Sequence, residues 1–268
     1  MSDPFKVIES VNRGGMTLEV LEWSGFAGLT DPRAAIYQQA LRTGGAAIRQ
    51  VRITARHKSS LILEAGALQF FAGDFSIENK IQAGKIARRV FGSMMTGEKL
   101  FRPTYKGVGQ IWLEPSIGHF LLMALDNEAV IVDQGMFHCC EDTVEVTAKM
   151  QSNISSAIFG GEGLFQTRLS GTGLVVLTSP VPEHEIIKLQ VRPDAKVVVD
   201  GSFALLRSDA VKFSVQKSTR GIMGTLTSGE GLLQTFEGSG EVWVAPMLPF
   251  YESLAAMAIS PLTPGVRS

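Results

Sequence analysis

Three stretches of this chain repeat one pattern, and that repetition restricts the possible fold more than any other feature. They read GEKLFRPTYKGVGQIWLEP from position 97, GEGLFQTRLSGTGLVVLTSP from 161 and GEGLLQTFEGSGEVWVAP from 229. The Gly-Glu pairs Gly97-Glu98, Gly161-Glu162 and Gly229-Glu230 are spaced by 64 and 68 residues. The Gly-X-Gly pairs Gly107/Gly109, Gly171/Gly173 and Gly238/Gly240 are spaced by 64 and 67. Unrelated glycines would not keep both series in step. A second motif precedes each copy: SLILEAGALQFFAGDF, AVIVDQGMFHCCEDTV and KVVVDGSFALLRSDAV, anchored on Gly66, Gly135 and Gly201. Asp74, Asp142 and Asp209 follow seven or eight residues later. The repeating unit is an apolar strand, a glycine turn, a second strand with an acidic end, a variable connector, and a segment carrying Gly-X-Gly. Units of this kind bury a shared core that none forms alone.

The local periodicity is that of β-structure. Val130–Val132 and Val197–Val199 are continuous branched runs, which suit strands covered on both faces. Val144 and Val146 alternate with Glu145 and Thr147, and Val211, Phe213 and Val215 with Lys212, Ser214 and Gln216, as in half-buried strands. The Gly-X-Gly pairs read as hairpin turns or bulges, where glycine reaches backbone angles closed to other residues. Trp112 and Trp243 hold matching positions, with Val176 between them in the series, and predict sheet core. The fold class is therefore all-β, with three repeats at about 60–115, 129–180 and 196–246 expected to pack with pseudo-threefold symmetry inside one domain of 47–250. Residues 1–46 form an N-terminal extension in which Arg33–Leu41 predicts a short helix after Pro32. Residues 251–268 predict a terminal helix over Tyr251–Ile259 and a tail.

Composition narrows the partners. The formal net charge is -1 and 19% of residues are charged, which opposes a chain-wide nucleic-acid surface. The charge is nevertheless uneven. Residues 80–106 hold seven basic side chains against Glu98, among them Lys80, Lys85, Arg88 and Arg89, whereas 126–145 hold six acids and no Lys or Arg. Such polarity suits the orientation of subunits, polyanion binding by the basic strip, or independent solvated turns. The connectors FGSMMTG, SSAIFGG and GIMGTLTSG are apolar and glycine-rich, and a subunit interface, a lipid surface, a small ligand or ordinary core would cover them. No apolar run is longer than the six residues of Phe120–Leu125, too short to cross a membrane, and the N-terminus MSDPFKVIES lacks a basic leader with an apolar core. Cys139 and Cys140 are adjacent and poorly disposed for a mutual structural disulfide. A cytoplasmic location is the expectation.

No catalytic or cofactor motif stands out, and no cofactor is expected. The four histidines, His57, His119, His138 and His184, lack metal-ligand spacing. His138 and Cys140 could share one strand face, but a metal centre there needs a ligand from elsewhere. Gly107-Val-Gly109-Gln-Ile-Trp112 fails the dinucleotide fingerprint at its third glycine. Glu98, Glu162 and Glu230 read as acceptors that tie down turns, or partners for an arginine such as Arg168; the alternative is three carboxylates brought to a pseudo-threefold axis as an acid–base or cation site, and Asp74, Asp142 and Asp209 read the same way.

The segments EAGALQFFAGD at 64–74, FGGEGLFQTRLSGTGLVVLTS at 159–179, VVVDGSFAL at 198–206 and SGEGLLQTFEGSGEVWV at 228–244 resemble the AIM24 family, over roughly 47–250. The resemblance implies a fold like that of the tryptophan RNA-binding attenuator protein, a TRAP-like β-sandwich or barrel in repeated units, and a homo-oligomer, often a trimer. Eukaryotic relatives are linked to mitochondrial organisation, and bacterial relatives have no settled activity. The lead 1–46 is longer than is usual in the family. RNA binding does not follow from that fold, because no RNA-contacting residue is matched here. The reading these features favour is a non-enzymatic, self-associating scaffold or interaction module. The alternatives are RNA or polyanion binding through 80–106, and a metal-dependent enzyme using His138 and Cys140.

Overall fold

The structure is a computed structural model describing residues 3–24, 28, 31–78, 102–151, 164–217 and 232–259. It is predominantly β-sheet, in two compact units, Met1–Ser179 and Pro180–Ser268. The first unit contains β1 (Phe5–Arg13), β2 (Met16–Trp23), α1 (Pro32–Thr43), β3 (Arg49–Leu63), β4 (Leu68–Glu78), β5 (Thr104–Leu113), β6 (His119–Val132), β7 (Phe137–Glu141), β8 (Val144–Gln151) and β9 (Leu164–Ser179). The second has a 3-10 turn at Glu183–Glu185, then β10 (Ile187–Val191), β11 (Val197–Asp200), β12 (Ala204–Ser208), β13 (Lys212–Lys217), β14 (Leu232–Glu237), β15 (Gly240–Val244) and α2 (Leu248–Ile259).

The sequence repeat is a repeat of topology. Each copy has a lead strand, a glycine turn, a return strand, and a closing strand that pairs antiparallel with both. In the first copy these are β3, β4 and β5. In the second, β6 leads, β7 and β8 return, and β9 closes. In the third every strand is split: β10 and β11 lead, β12 and β13 return, β14 and β15 close. Gly66, Gly135 and Gly201 sit at the turns after the lead strands with φ of 82°, 82° and 107°. Left-handed angles at these positions favour glycine over any side chain with a Cβ.

The Gly-X-Gly pairs do not form hairpin turns. Gly107 and Gly109 lie inside β5, Gly171 and Gly173 inside β9, and Gly238 and Gly240 mark the break between β14 and β15. Strands flank the closing strand on both sides and carry it through the glycines without reversal. The return strand passes so close that a Cβ on Gly107 would overlap the Asp74 carbonyl, and one on Gly171 would lie 2.5 Å from the Thr143 carbonyl oxygen. Asp74, Asp142 and Asp209 each lie at or next to this crossing. The lead strand shifts register opposite it, between Ala55 and Ser59 and between Asp126 and Glu128. Asn127 takes up the second shift at φ 56°, its N–H donating to Thr172 Oγ1 at 2.8 Å. Asn tolerates this angle better than most residues with a side chain.

The core of the first unit joins Met16, Leu18 and Val20 of β2 to Val51, Ile53, Leu61, Leu63, Ile111, Leu113, Cys139, Leu174 and Val176. The N-terminal segment thus supplies more than the helix predicted over 33–41. Its hairpin, β1 with β2, adds a strand beside β3, and the alternation Met16, Leu18, Val20 faces inward. A second correction concerns the valine runs. Val130–Val132 is buried throughout, whereas Val198 is 45% exposed, because β11 has only β14 beside it in its three-stranded sheet.

Candidate functional site

Several residues of interest fall outside the described residues: Gly97, Glu98, Gly161, Glu162, Gly229, Glu230, Lys80, Lys85, Arg88 and Arg89, and with them the apolar connectors. Two members of the basic strip are described. Arg102 Nε donates to Glu64 Oε2 at 2.9 Å, with its guanidinium 5.0 Å from the centre of the Phe137 ring. Lys106 Nζ pairs with Glu78 Oε2 at 2.9 Å, and the bond to Glu78 raises its pKa. Both cations are already partnered within the sheet.

β7 carries the His138, Cys139 and Cys140 cluster. Its short run is buried because β3 covers one edge and β9 the other. The His138 ring tilts against Phe120 with centroids 5.2 Å apart, and its buried Nε2 has no hydrogen-bond partner among the described residues. Burial drives its pKa down to about 4, so the imidazole is neutral at neutral pH. The same loss of solvent raises both thiols, which are free and buried. Cys140 Sγ donates to the Val144 carbonyl at 3.8 Å. A reactive cysteine needs an accessible, stabilised thiolate, and this environment favours the neutral thiol. Among the described residues no group of three His, Cys, Asp or Glu side chains is placed to hold a metal.

A second cluster covers the face of β1, β2, β3, β4 and β5 that points away from the core. The Arg52 guanidinium lies 5.4 Å from the centres of both the Phe5 and Trp112 rings, and its Nε donates to Glu19 Oε2 at 2.8 Å. Phe70 stacks on Trp112 at 5.4 Å and 14°. Beneath, buried Gln50 accepts from Trp23 Nε1 at 3.0 Å and donates to the Leu113 carbonyl at 2.8 Å. Pairing and stacking satisfy the cation, so this is a clamp on the sheet face. Sequence spacing did not reveal it, because its members come from separate strands and meet only through strand register.

Bulky apolar groups remain on the surface. In α1, Ile36 and Tyr37 are 72% and 74% exposed. Phe250 and Leu254 of α2 face solvent, although Tyr251 Oη holds the helix to Glu185 at 2.9 Å. On β4, Phe70 and Phe71 are 47% and 36% exposed, and Ile77 is exposed as well. In the register against the closing strands, Phe70 occupies the place that buried Cys139 holds in the next copy.

The family model described as "Mitochondrial biogenesis AIM24" matches residues 42–247. An uncharacterized protein of Streptococcus pyogenes serotype M6 is 24% identical over 203 residues, covering 72% of this chain and 79% of that protein. The crystal structure of another Streptococcus pyogenes protein superposes with a TM-score of 0.57 at 21% identity, covering 78% of this chain and 94% of that one. That likeness is one of fold.

Proposed function

The chain belongs to the AIM24 family, and on that premise we propose that it works as a non-enzymatic, self-associating β module, a scaffold or interaction platform. The observation that carries this reading is the surface of the single chain: bulky apolar side chains on β4, α1 and α2 face solvent. Bulky apolar groups left exposed in this way are characteristic of surfaces meant to be covered. The family description, mitochondrial biogenesis, names a process and no reaction. We take the three repeats, 47–250, as the module, with 1–46 and 251–268 as flanking elements, and a TRAP-like sandwich or barrel as its architecture. A homotrimer is the assembly favoured by family resemblance, and the cytoplasm its expected location. Among the described residues no helix is long and apolar enough to cross a membrane.

The polyanion reading ranks lower, since Arg102 and Lys106 are already paired. The metal-enzyme reading ranks below that, because among the described residues no third His, Cys, Asp or Glu is placed with His138 and Cys140 to hold a metal. Light scattering coupled to size exclusion tests the proposal. A stable multiple of the 28.9 kDa chain mass is expected, and a monomer at tens of micromolar chain would refute self-association.

A further inference from the structure

The three copies act as internal controls for one another. Leu61, Val130 and Val197 are equivalent, since they face Tyr105, Leu169 and Phe236 of the closing strands. Phe70, Cys139 and Leu206 are equivalent by the same criterion, facing Trp112, Val176 and Trp243. Where the first copy meets the second, the end of the lead strand covers the outer edge of the next return strand. Leu61 pairs with Glu141, Ile62 with Cys140 and Leu63 with Cys139, antiparallel. The Glu64 N–H donates to the His138 carbonyl at 2.8 Å, and the Asp142 N–H to the Ser60 carbonyl at 3.0 Å.

Two edges of these same kinds have no such cover among the described residues. The return strand β4 pairs only with β5, and the lead strand β11 only with β14. Side-chain exposure follows the missing strands. Cys139, Cys140, Leu206 and Arg207 are all buried, while Phe70 and Phe71 are not. Val198 is exposed where its equivalent Ile131 is buried. Leu68–Glu78 contains no lysine and no proline, and its acids, Asp74 and Glu78, lie beyond Phe70–Ala72.

We propose that the outer edge of β4 receives strand β11 of a second copy of this chain, antiparallel, with Val199 opposite Phe70, Val198 opposite Phe71 and Val197 opposite Ala72. This rests on the self-association reading and specifies its surface. The occupant is a second copy because the chain carries both halves of a junction it already makes between β3 and β7, and neither Val197–Val199 nor Phe70–Ala72 holds a charge that would oppose the pairing. Backbone hydrogen bonds supply the adhesion, and Phe71 against Val198 is an aromatic–branched pair of the kind that stabilises sheets. The two edges differ, so the contact is head-to-tail and closes into a ring where the rotation allows.

Cross-linking decides the matter. Hydrogen bonds at Glu64/His138 and Ser60/Asp142 make the Leu61/Glu141 pair a non-hydrogen-bonded one. Its counterpart, Val197 with Ala72, then has Cα atoms about 4.5 Å apart, within disulfide reach. Ala72→Cys and Val197→Cys proteins are co-expressed and oxidised, with buried Cys139 and Cys140 out of reach. A disulfide-linked dimer is expected from the pair and neither protein alone. No cross-link with an oligomeric parent protein would overturn this edge and leave self-association standing. No cross-link with a monomeric parent would remove both. An intrachain disulfide confined to the double variant would place the two edges in one molecule and overturn the proposal. Phe71→Asp and Val198→Asp supply the second arm. Each should weaken association at least tenfold with an unchanged circular dichroism spectrum, and an unchanged oligomer mass in both folded variants would count against the pairing.

Discussion

Strands β4 and β7 hold the same place in successive copies, yet one lies against solvent and the other is among the most buried strands of the first unit. Both follow a glycine turn at φ 82°, and both pair with the closing strand of their own copy. Both slip register after their first residue, between Leu68 and Phe70 and between Phe137 and Cys139. The difference lies on the other edge, where β3 covers β7 and β4 has no described strand. The repeat therefore determines the path of the backbone, and the neighbour determines burial. Composition has followed burial in β7, where two small thiols fit a covered strand. In β4 two phenylalanines hold the matching places.

The same substitution at matched positions gives the largest contrast. Cys140→Asp places a carboxylate in a fully covered strand and should destabilise the first unit by about 4 kcal/mol or more. Phe71→Asp at the equivalent position should cost about 2 kcal/mol in the dissociated chain, because its ring is 36% exposed and meets only Phe75 and Tyr105 among the aromatic rings described. Denaturant titration of both variants would measure the gap, and equal losses would erase the distinction drawn between the strands. The glycine crossings come next. Gly107→Ala drives a Cβ into the Asp74 carbonyl and should cost about 3 kcal/mol or more. A Cβ on Gly238 would stand 3.1 Å from the Ala210 carbonyl oxygen, so Gly238→Ala should cost about 1–2 kcal/mol, mostly through its φ of 115°.

A smaller effect concerns pH. His138 has its folded pKa lowered from 6.5 to about 4 by burial. The unfolded chain thus binds the extra proton first as pH falls. Stability from this group is complete above about 6.5, is lost progressively between 6.5 and 4, and is flat below that. After allowance for the partly exposed ring, the loss should be on the order of 2 kcal/mol. His138→Phe should flatten that part of the pH–stability curve, and an unchanged slope would refute the assignment. Smallest is Arg52→Gln, which removes the Glu19 pair and the contacts with Phe5 and Trp112. A loss of about 1 kcal/mol is expected in thermal unfolding.

Much of this architecture can be read in the amino-acid order, and the places where it cannot have physical causes. The repeat is legible because glycine at Gly66, Gly135 and Gly201 answers a backbone angle that few residues tolerate. The match of Trp112, Val176 and Trp243 predicted from spacing is the register observed at β4, β7 and β12, but the expectation of sheet core holds for Val176 and Trp243 alone, since Trp112 is half-buried on the outer face. The path through Gly-X-Gly is not legible. A glycine pair looks the same at a turn and at a strand crossing, and only flanking strands distant in sequence decide between them. The β1–β2 hairpin could have been read from the alternation over Met16–Trp23 and the Gly14-Gly15 turn. Exposure of β4 is hidden, because LQFFAGDF has the pattern of a core strand and only its missing neighbour shows otherwise. For the candidate surface, the basic strip suggested itself through composition, while the open edges emerged from topology.

Amide hydrogen exchange on peptides spanning 68–78 and 137–141, followed across a dilution series of the chain, tests the covering of β4 most directly. Protection of the β4 peptide should rise with chain concentration while that of β7 stays high and constant. A β4 peptide whose exchange is indifferent to concentration, whether fast or slow throughout, would contradict the claim that a second copy completes its edge.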